Sequence, residues 1–519
     1  MSKTRRGRLL AAIVCAGMAG GVAGAAYSET LSDAIALAYD SNPTLLAQRS
    51  TQRVLDESYV AARSGFRPQL SFAGDASYLQ IRTPRRVAGQ PIDTTGSGVP
   101  DTVGIGVQQI NSAFSGFSLS QPIWTGGRTS AAVSAAEADI LSGRENLRLV
   151  EAQVMLSVIQ AYADVSRDQE GVRIREQNVS VLQEQLKESR ARFDVGELTR
   201  TDVAQAEARF AAARALLSSA VAQLAVSRAN YAAVVGQNPG NLQPAPSLAY
   251  LMPATADDAF GIAEKFSPVL RAQVLAEEAS RARVAAAKAE RMPSLSLRAQ
   301  YGFTGPAAPL DSGLFSREIT GEAVVTLPLF TGGLTSSNIR AQVARNNTDR
   351  INIETQRRTV LQTITQAWSQ LTAARANIES TSEAVRAADI AAEGTRQEQR
   401  VGLRTTIDTL NAEQELNDDQ LSATGAKHDE YVAAATVLSA MGRLEAKNLI
   451  PAISQYDPKK NFRKLRFSLG YVPWEEPIAA VDSVLALPQV SPIKDAPSEA
   501  PIGPGLQPAP VAPVVAPKK

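Results

Sequence analysis

The sequence predicts a membrane protein of mixed α and β structure that uses one unit twice, each unit a strand hairpin followed by a long coiled-coil helical hairpin. Three observations carry this expectation. They are an internal repeat of about half the chain, heptad-spaced apolar residues in each half, and short stretches of alternation just ahead of the heptads.

The segment Gln121-Pro122-Ile123-Trp124-Thr125-Gly126-Gly127-Arg128-Thr129-Ser130 recurs as Leu327-Pro328-Leu329-Phe330-Thr331-Gly332-Gly333-Leu334-Thr335-Ser336, a shift of 206 residues. The same shift aligns Gln160-Ala161-Tyr162 with Gln366-Ala367-Trp368, Val195-Gly196 with Val401-Gly402, and Asp202 with Asp408. Upstream it becomes 225, pairing Pro68 with Pro293, so the first half carries 19 additional residues between Pro68 and Pro122. A period this long is a duplicated domain rather than a solenoid. The units are expected at 29–240 (strands about 68–122, helices about 129–235) and 241–450 (strands about 293–328, helices about 335–442).

Within the first unit Val158, Val165, Val172, Val179, Leu186 and Phe193 stand seven apart, and Ile364, Leu371, Ile378, Val385 and Ala392 repeat the spacing in phase. This is a coiled-coil seam. Beyond Gly196 a second seam runs through Val203, Phe210, Leu217, Leu224 and Tyr231, beside the small residues Ala206, Ala213, Ala220 and Ser227. Each half is therefore expected to hold an antiparallel helical hairpin turning at Val195-Gly196 or Val401-Gly402. The 67 residues from Thr129 to Gly196 would span ~100 Å as one helix. Taken alone, such a pattern also fits a soluble coiled-coil rod.

The strand signals favour a membrane. Leu295, Leu297, Ala299, Tyr301 and Phe303 alternate with Ser294, Ser296, Arg298, Gln300 and Gly302, and Ile319 to Leu327 alternate in the same way. Leu70, Phe72, Ala76 and Tyr78 do so in the first half, with a return strand through Phe117 and Leu119. No run of ~20 apolar residues follows the amino terminus, so entry into a membrane would be by strands. Four strands cannot close a barrel, and open edges are not tolerated in hydrocarbon, so other copies of the chain must complete the sheet. Trp124 and Phe330 stand at matching strand ends, where an interfacial aromatic belt or plain packing of sheet on helix would each place them.

Composition narrows the function classes. The 519 residues carry 53 Lys+Arg against 52 Asp+Glu, a formal charge of +1, which is no footprint for nucleic acid. One cysteine and one histidine leave little room for zinc sites, thiol nucleophiles or Ser-His-Asp triads. No catalytic group, metal or cofactor is expected, and His428 is assigned no role. Lys3, Arg5, Arg6 and Arg8 ahead of the apolar run Leu9 to Ala26 read as a signal peptide over 1–28. Its removal would leave 49 basic against 52 acidic residues and no cysteine. Val14 before Cys15, with apolar sequence continuing beyond it, argues against lipid attachment there.

The doubled Pro-Ile-Trp-Thr-Gly-Gly signature at Pro122, together with Arg192-Phe-Asp-Val-Gly-Glu-Leu-Thr-Arg-Thr-Asp202 and Val401-Gly-Leu-Arg-Thr-Thr-Ile-Asp408, resembles the TolC family of outer-membrane efflux proteins. The resemblance covers roughly residues 29 to 450. It implies a homotrimer whose four strands per chain make a twelve-stranded barrel in outer-membrane lipid, continued by an α-helical tunnel in the periplasm. It also implies docking with a periplasmic adaptor and an inner-membrane pump of ABC or RND type, for multidrug efflux, type I protein secretion or both. Carried over by position, Val195, Gly196, Val401, Gly402 and Leu403 match turns that meet the adaptor, although glycine at a turn equally serves backbone conformation. Arg404 matches an arginine that holds the channel shut through a Thr-Asp pair, here Thr201 and Asp202. Asp408 matches an acidic ring at the constriction, Asn411 stands where some members carry a second aspartate, and Gln399 replaces an aromatic gate residue. A solvated helix face is the plain alternative for each charged residue.

Residues 451–519 form a carboxy-terminal extension in which 11 of 28 prolines fall between Pro473 and Pro517, so it is expected to be extended and disordered from about 473. Two other classes compete with the exit duct: a periplasmic coiled-coil adaptor and a structural coiled-coil protein. The adaptor should carry one hairpin inserted into small β domains. The duplicated strand-helix unit argues against it.

Overall fold

The computed structural model describes residues 29–83, 91–92, 101–102, 106–308, 312–465, 467 and 470–484. The expected signal peptide lies outside them. In chain order the first half contains α1 (Leu31–Ser41), α2 (Pro43–Arg63), β1 (Gln69–Thr83), the two-residue strands β2 (Pro91–Ile92) and β3 (Asp101–Thr102), β4 (Gly106–Trp124), α3 (Arg128–Asp194) and α4 (Arg200–Val235). The second half repeats the order with α5 (Ala256–Phe266), α6 (Pro268–Ala289), β5 (Ser294–Gly305), β6 (Ser316–Thr326), α7 (Leu334–Arg400) and α8 (Thr406–Ala440). The short helices α9 (Ala446–Leu449), α10 (Lys459–Leu465) and α11 (Glu475–Val484) follow.

Alternation dictates a four-stranded sheet with order β1-β4-β5-β6, antiparallel throughout, in which the β4–β5 pairing joins the two halves, while β2 and β3 pair only with each other. Register places Phe72, Phe117, Tyr301 and Ile319 in one row across the sheet, with Leu70, Leu119, Ala299 and Gly321 in the next. Ser71, Ser118, Gln300 and Thr320 make a row on the other face, where Arg298 and Glu322 also pair. One face is apolar and exposed and the other polar, the division a barrel needs between lipid and lumen. β1 and β6 remain open edges. The first hairpin overreaches the second, since β4 pairs with β5 only as far as Ala113–Gly305 while β1 and β4 continue to Thr83–Gly106. The overhang of β1 and β4 thus lies at the far end of the hairpin, away from the helices.

α3 and α7 have 67 residues each, about 100 Å of helix. Each pairs antiparallel with the helix after it, α3 with α4 and α7 with α8, while α6 lies between α3 and α7 and α2 flanks α3. The seam positions Ile140, Leu147, Val158, Val165, Leu186, Ile364, Leu371 and Ala392 are buried as the heptads demand. The main core sits midway along the helices, where α1, α5 and α9 wrap them and Tyr162, Tyr231, Met155 and Leu438 are fully buried. Further from the sheet the packing thins to a small cluster of Leu182, Ala213 and Leu410. Against the expectation from the sequence, α4 holds an 18-residue stretch of mean hydropathy 1.4, long and apolar enough to cross a membrane by length and composition. Only 17% of that stretch is buried, with Leu216, Val221 and Val226 outward, and α3 accompanies the helix.

The expectation of disorder from about residue 473 is corrected at its start, because α11 folds back onto the junction between β4 and α3. Glu475 is buried between Arg63 and Arg67, with Nε–Oε distances of 2.6 and 2.9 Å. Asp482, fully buried, accepts hydrogen bonds from the backbone N–H of Thr125 (2.7 Å), Gly127 (3.1 Å) and Ser130 (3.2 Å) and from both hydroxyls of Thr125 and Ser130. It occupies the helix amino terminus, where orphan N–H groups and the helix dipole favour an anion. Proline enrichment belongs to 485–519, outside the described residues. Among the described residues the matching second junction has no such cover: Leu329 and Phe330 are each 90% exposed and Phe330 lies beyond the strand end, whereas Trp124 is half-buried at the end of β4.

Candidate functional site

The tips of the two helical hairpins are the points furthest from the sheet, and both are built alike. α3 is capped at its carboxy-terminal end by Val195 and α7 by Val401, each followed by a glycine in the left-handed region, Gly196 at φ 84° and Gly402 at φ 80°. The N–H of Glu197 returns to the carbonyl of Arg192 (2.9 Å) and that of Leu403 to Glu398 (2.8 Å), closing each helix end with a six-to-one hydrogen bond. A β-carbon on either glycine would meet nothing within 4 Å, so backbone conformation alone demands glycine there. Val195, Val401 and Leu403 project outward at 72%, 71% and 76% exposure.

The next helix of each hairpin starts with a reciprocal cap. Thr199 and Asp202 cap α4, and Thr405 and Asp408 cap α8: the threonine N–H and hydroxyl donate to the aspartate, and the aspartate N–H donates to the threonine oxygen. Those hydrogen bonds, the threonine hydroxyl's first, hold both carboxyls below the usual range and keep them charged. The Thr-x-x-Asp spacing was visible in the sequence as a cap signature. Asp202 and Asp408 therefore have a structural task before any gating one.

Within one chain the candidate gate residues do not all meet. Arg404 donates to Glu398 across its own turn at 2.8 Å, and that hydrogen bond, then the fields of Glu398 and Asp408, raises its pKa. Among the described residues it does not reach Thr201 or Asp202. Asn411 is exposed on α8, and its Oδ1 accepts from Arg209 of α4 at 2.9 Å, while the same guanidinium also bonds Gln414. This link joins α4 to α8 just above the tips, and sequence reasoning missed it because its partners stand 202 residues apart. Gln399 turns inward between α7 and α8, donating to the Thr406 hydroxyl at 3.4 Å. Beside it Arg396 clasps the buried Glu413 through two nitrogens. Above the tips, α3, α7 and α8 border a groove of about 490 Å³ lined by Val181, Glu184, Glu188, Arg396, Arg400 and Asn417 among others.

An open sheet with one apolar face, standing on paired helical hairpins of about 100 Å whose far ends carry charged caps and exposed apolar turns, defines an outer-membrane channel continued by a helical tunnel. The model for the outer membrane efflux protein family matches residues 34–237 and 261–443, and the chain belongs to that family. It is 34% identical over 442 residues to the outer membrane efflux protein BepC of Brucella suis biovar 1, covering 85% of this chain and 91% of that one. Identity to the outer membrane protein TolC of Vibrio cholerae is 23% over 454 residues, covering 85% and 97%. Among solved structures the outer-membrane channel OprN shares the fold, with a TM-score of 0.66 at 19% identity, over 79% of this chain and 89% of its own. The protein is an outer-membrane exit duct with its tunnel in the periplasm. Its relatives are channels and efflux proteins rather than enzymes.

Proposed function

We propose that three copies of this chain close a twelve-stranded barrel and a single tunnel, and that the duct works between a periplasmic adaptor and an inner-membrane pump of ABC or RND type. The open sheet carries the reading, because β1 and β6 leave a row of unmatched backbone groups at each edge of a lipid-facing surface. Pairing β6 of one copy with β1 of the next satisfies them along the length the two strands share. Cargo leaves through the tunnel as small molecules, secreted proteins or both.

The hairpin tips form the gate and the docking point. Threefold symmetry brings three copies of Asp408 to one constriction, and Arg404 reaches Thr201 and Asp202 of a neighbouring copy in the closed state, exchanging its Glu398 partner for them. Val195, Gly196, Val401, Gly402 and Leu403 meet the adaptor, which covers apolar side chains that otherwise face water. Single-channel conductance in a planar bilayer tests the gate: Arg404→Ser should raise it with the trimer intact, and an unchanged value removes Arg404 from closure. A photocrosslinker at Leu403 should capture an adaptor in cells, and crosslinks to no periplasmic protein would refute the docking point.

A further inference from the structure

The extension that follows α9 carries a second surface besides the one that anchors α11. Glu475, Ile478 and Asp482, at helical spacing, are buried against α2 and the β4–α3 junction. Trp474, Pro477, Val481 and Val484 follow the same period one position away, and all four are exposed, Trp474 at 50%, Val481 at 49% and Val484 at 80%. Phe467, 67% exposed, stacks edge-on against Tyr471 with ring centroids 5.5 Å apart, extending the apolar surface towards α10. A helix held down by buried charges while it offers Trp and Val outward is unusual in water.

Its position says what covers it. The Trp474 indole N–H donates to Oε1 of Gln121 at 3.3 Å. Gln121 has the same parity on β4 as Leu119 and Phe117, the outward apolar row. Trp474 therefore sits on the lipid-facing side, at the lower rim of the apolar band. The stripe continues the barrel's outer surface to the depth where an aromatic belt belongs. α10, just before it, is Lys459-Lys460-Asn461-Phe462-Arg463-Lys464-Leu465, four cations and no acid, with Phe462 turned in against Tyr59 at 4.8 Å and the lysines exposed. Apolar and aromatic groups at the rim with cations on the aqueous side match a leaflet bearing anionic headgroups.

We infer that Phe467 and residues 470–484 form a lipid-binding collar, which rests Phe467, Tyr471, Trp474, Val481 and Val484 in the periplasmic leaflet of the outer membrane and directs the α10 lysines at its anionic headgroups. The first junction of each chain is then tied to the bilayer as well as to Asp482. A second copy of the chain is the competing occupant.

Trp474 can report this. In a chain carrying Trp124→Phe and Trp368→Phe it is the only tryptophan, and the full-length protein is reconstituted in vesicles of phosphatidylethanolamine and phosphatidylglycerol, with and without lipid brominated near the head of the acyl chain. Most of the emission should be lost to the brominated lipid, and the loss should fall with Val481→Asp while trimers persist. Quenching by aqueous iodide alone would overturn the collar in favour of an open surface, and quenching by neither agent would mean a protein neighbour covers it. A parallel variant with Phe117→Trp in a background also carrying Trp474→Phe keeps the two readings apart. If that strand tryptophan is quenched by bromolipid and Trp474 is not, the barrel stands and the collar falls. Should the background substitutions prevent assembly, the difference spectrum of wild type and Trp474→Phe gives the same reading.

Discussion

Replacing Asp482 by asparagine removes one acceptor and the charge while keeping the shape. In the wild type Oδ1 accepts from Thr125 N–H, Thr125 hydroxyl and Gly127 N–H, and Oδ2 accepts from Ser130 N–H and hydroxyl. In Asp482→Asn the amide oxygen keeps the first three, but an NH₂ group faces the Ser130 N–H. One buried donor is orphaned, at about 1–3 kcal/mol, and the remaining hydrogen bonds lose their charge assistance, so the total is about 2–4 kcal/mol. If the cost falls on local opening of α11, amide exchange over Thr125 to Ser130 should accelerate about 30- to 1,000-fold, at tenfold per 1.4 kcal/mol. Hydrogen exchange with mass spectrometry on the detergent-solubilised protein measures this. The pH dependence has a definite sign. Burial opposes the Asp482 charge, but the Thr125 N–H, the Ser130 hydroxyl and the Gly127 and Ser130 N–H groups outweigh it and lower the pKa. The stabilisation is therefore complete above the unfolded carboxyl value of about 3.9 and lost only as pH falls through the lower folded value. Wild type should hold its protection from pH 7 to 5, and the gap to Asp482→Asn should close in stronger acid. Equal exchange of the two proteins at pH 7 would refute the reasoning.

Other outcomes follow from single contacts. His428 on α8 lies 3.0 Å from Asp164 of α3 and 2.9 Å from Asp429, with Arg167 close by, and the Asp164 hydrogen bond outweighs burial to raise its pKa. A raised histidine stabilises fully below its unfolded value near 6.5 and loses that contribution as pH climbs through the folded value, so heat dissociation of wild-type trimers should ease across that window. His428→Gln should flatten this dependence, and an unchanged slope would rule the pair out. For Gly402→Ala, with φ at 80° and open space around it, we expect only backbone strain of about 1–2 kcal/mol, seen as faster protease nicking at the tip with assembly unchanged. Asp408→Asn should reduce cation preference in reversal-potential measurements, whereas Asn411→Asp should change it little because Arg209 already stands 2.9 Å from that side chain. A large gain with Asn411→Asp would show that Arg209 turns away in the assembled channel.

The parts of this molecule that repeat along the chain were legible in the sequence. Heptads announced the seams because Val158, Val165 and Leu371 must bury themselves every seventh residue, and the tips showed as glycines because only glycine takes the left-handed turn cheaply. What stayed hidden depends on partners far apart in sequence. Asp482 stands alone near a proline-rich stretch, and nothing local marks it as the cap of a helix 352 residues upstream. Glu475 needs Arg63 and Arg67, more than 400 residues away. At the tips the opposite happened. Thr199-x-x-Asp202 and Thr405-x-x-Asp408 are cap signatures legible from three-residue spacing alone, so the structural task of both carboxylates was local and open to view.

In the proposed assembly the joint between halves, β4 on β5, and the joint between chains, β6 on β1, alternate around one wall. Three chains thus offer six near-equal units, and the eye of any partner reading the wall from outside would meet a sixfold figure. The carboxy-terminal helix breaks it. Every odd junction is sealed by a carboxylate and, among the described residues, every even one leaves Leu329 and Phe330 bare, so a ring drawn from duplicated parts has only threefold identity at the bilayer rim. At the tips, where both caps are built alike, it keeps nearly all of its sixfold character.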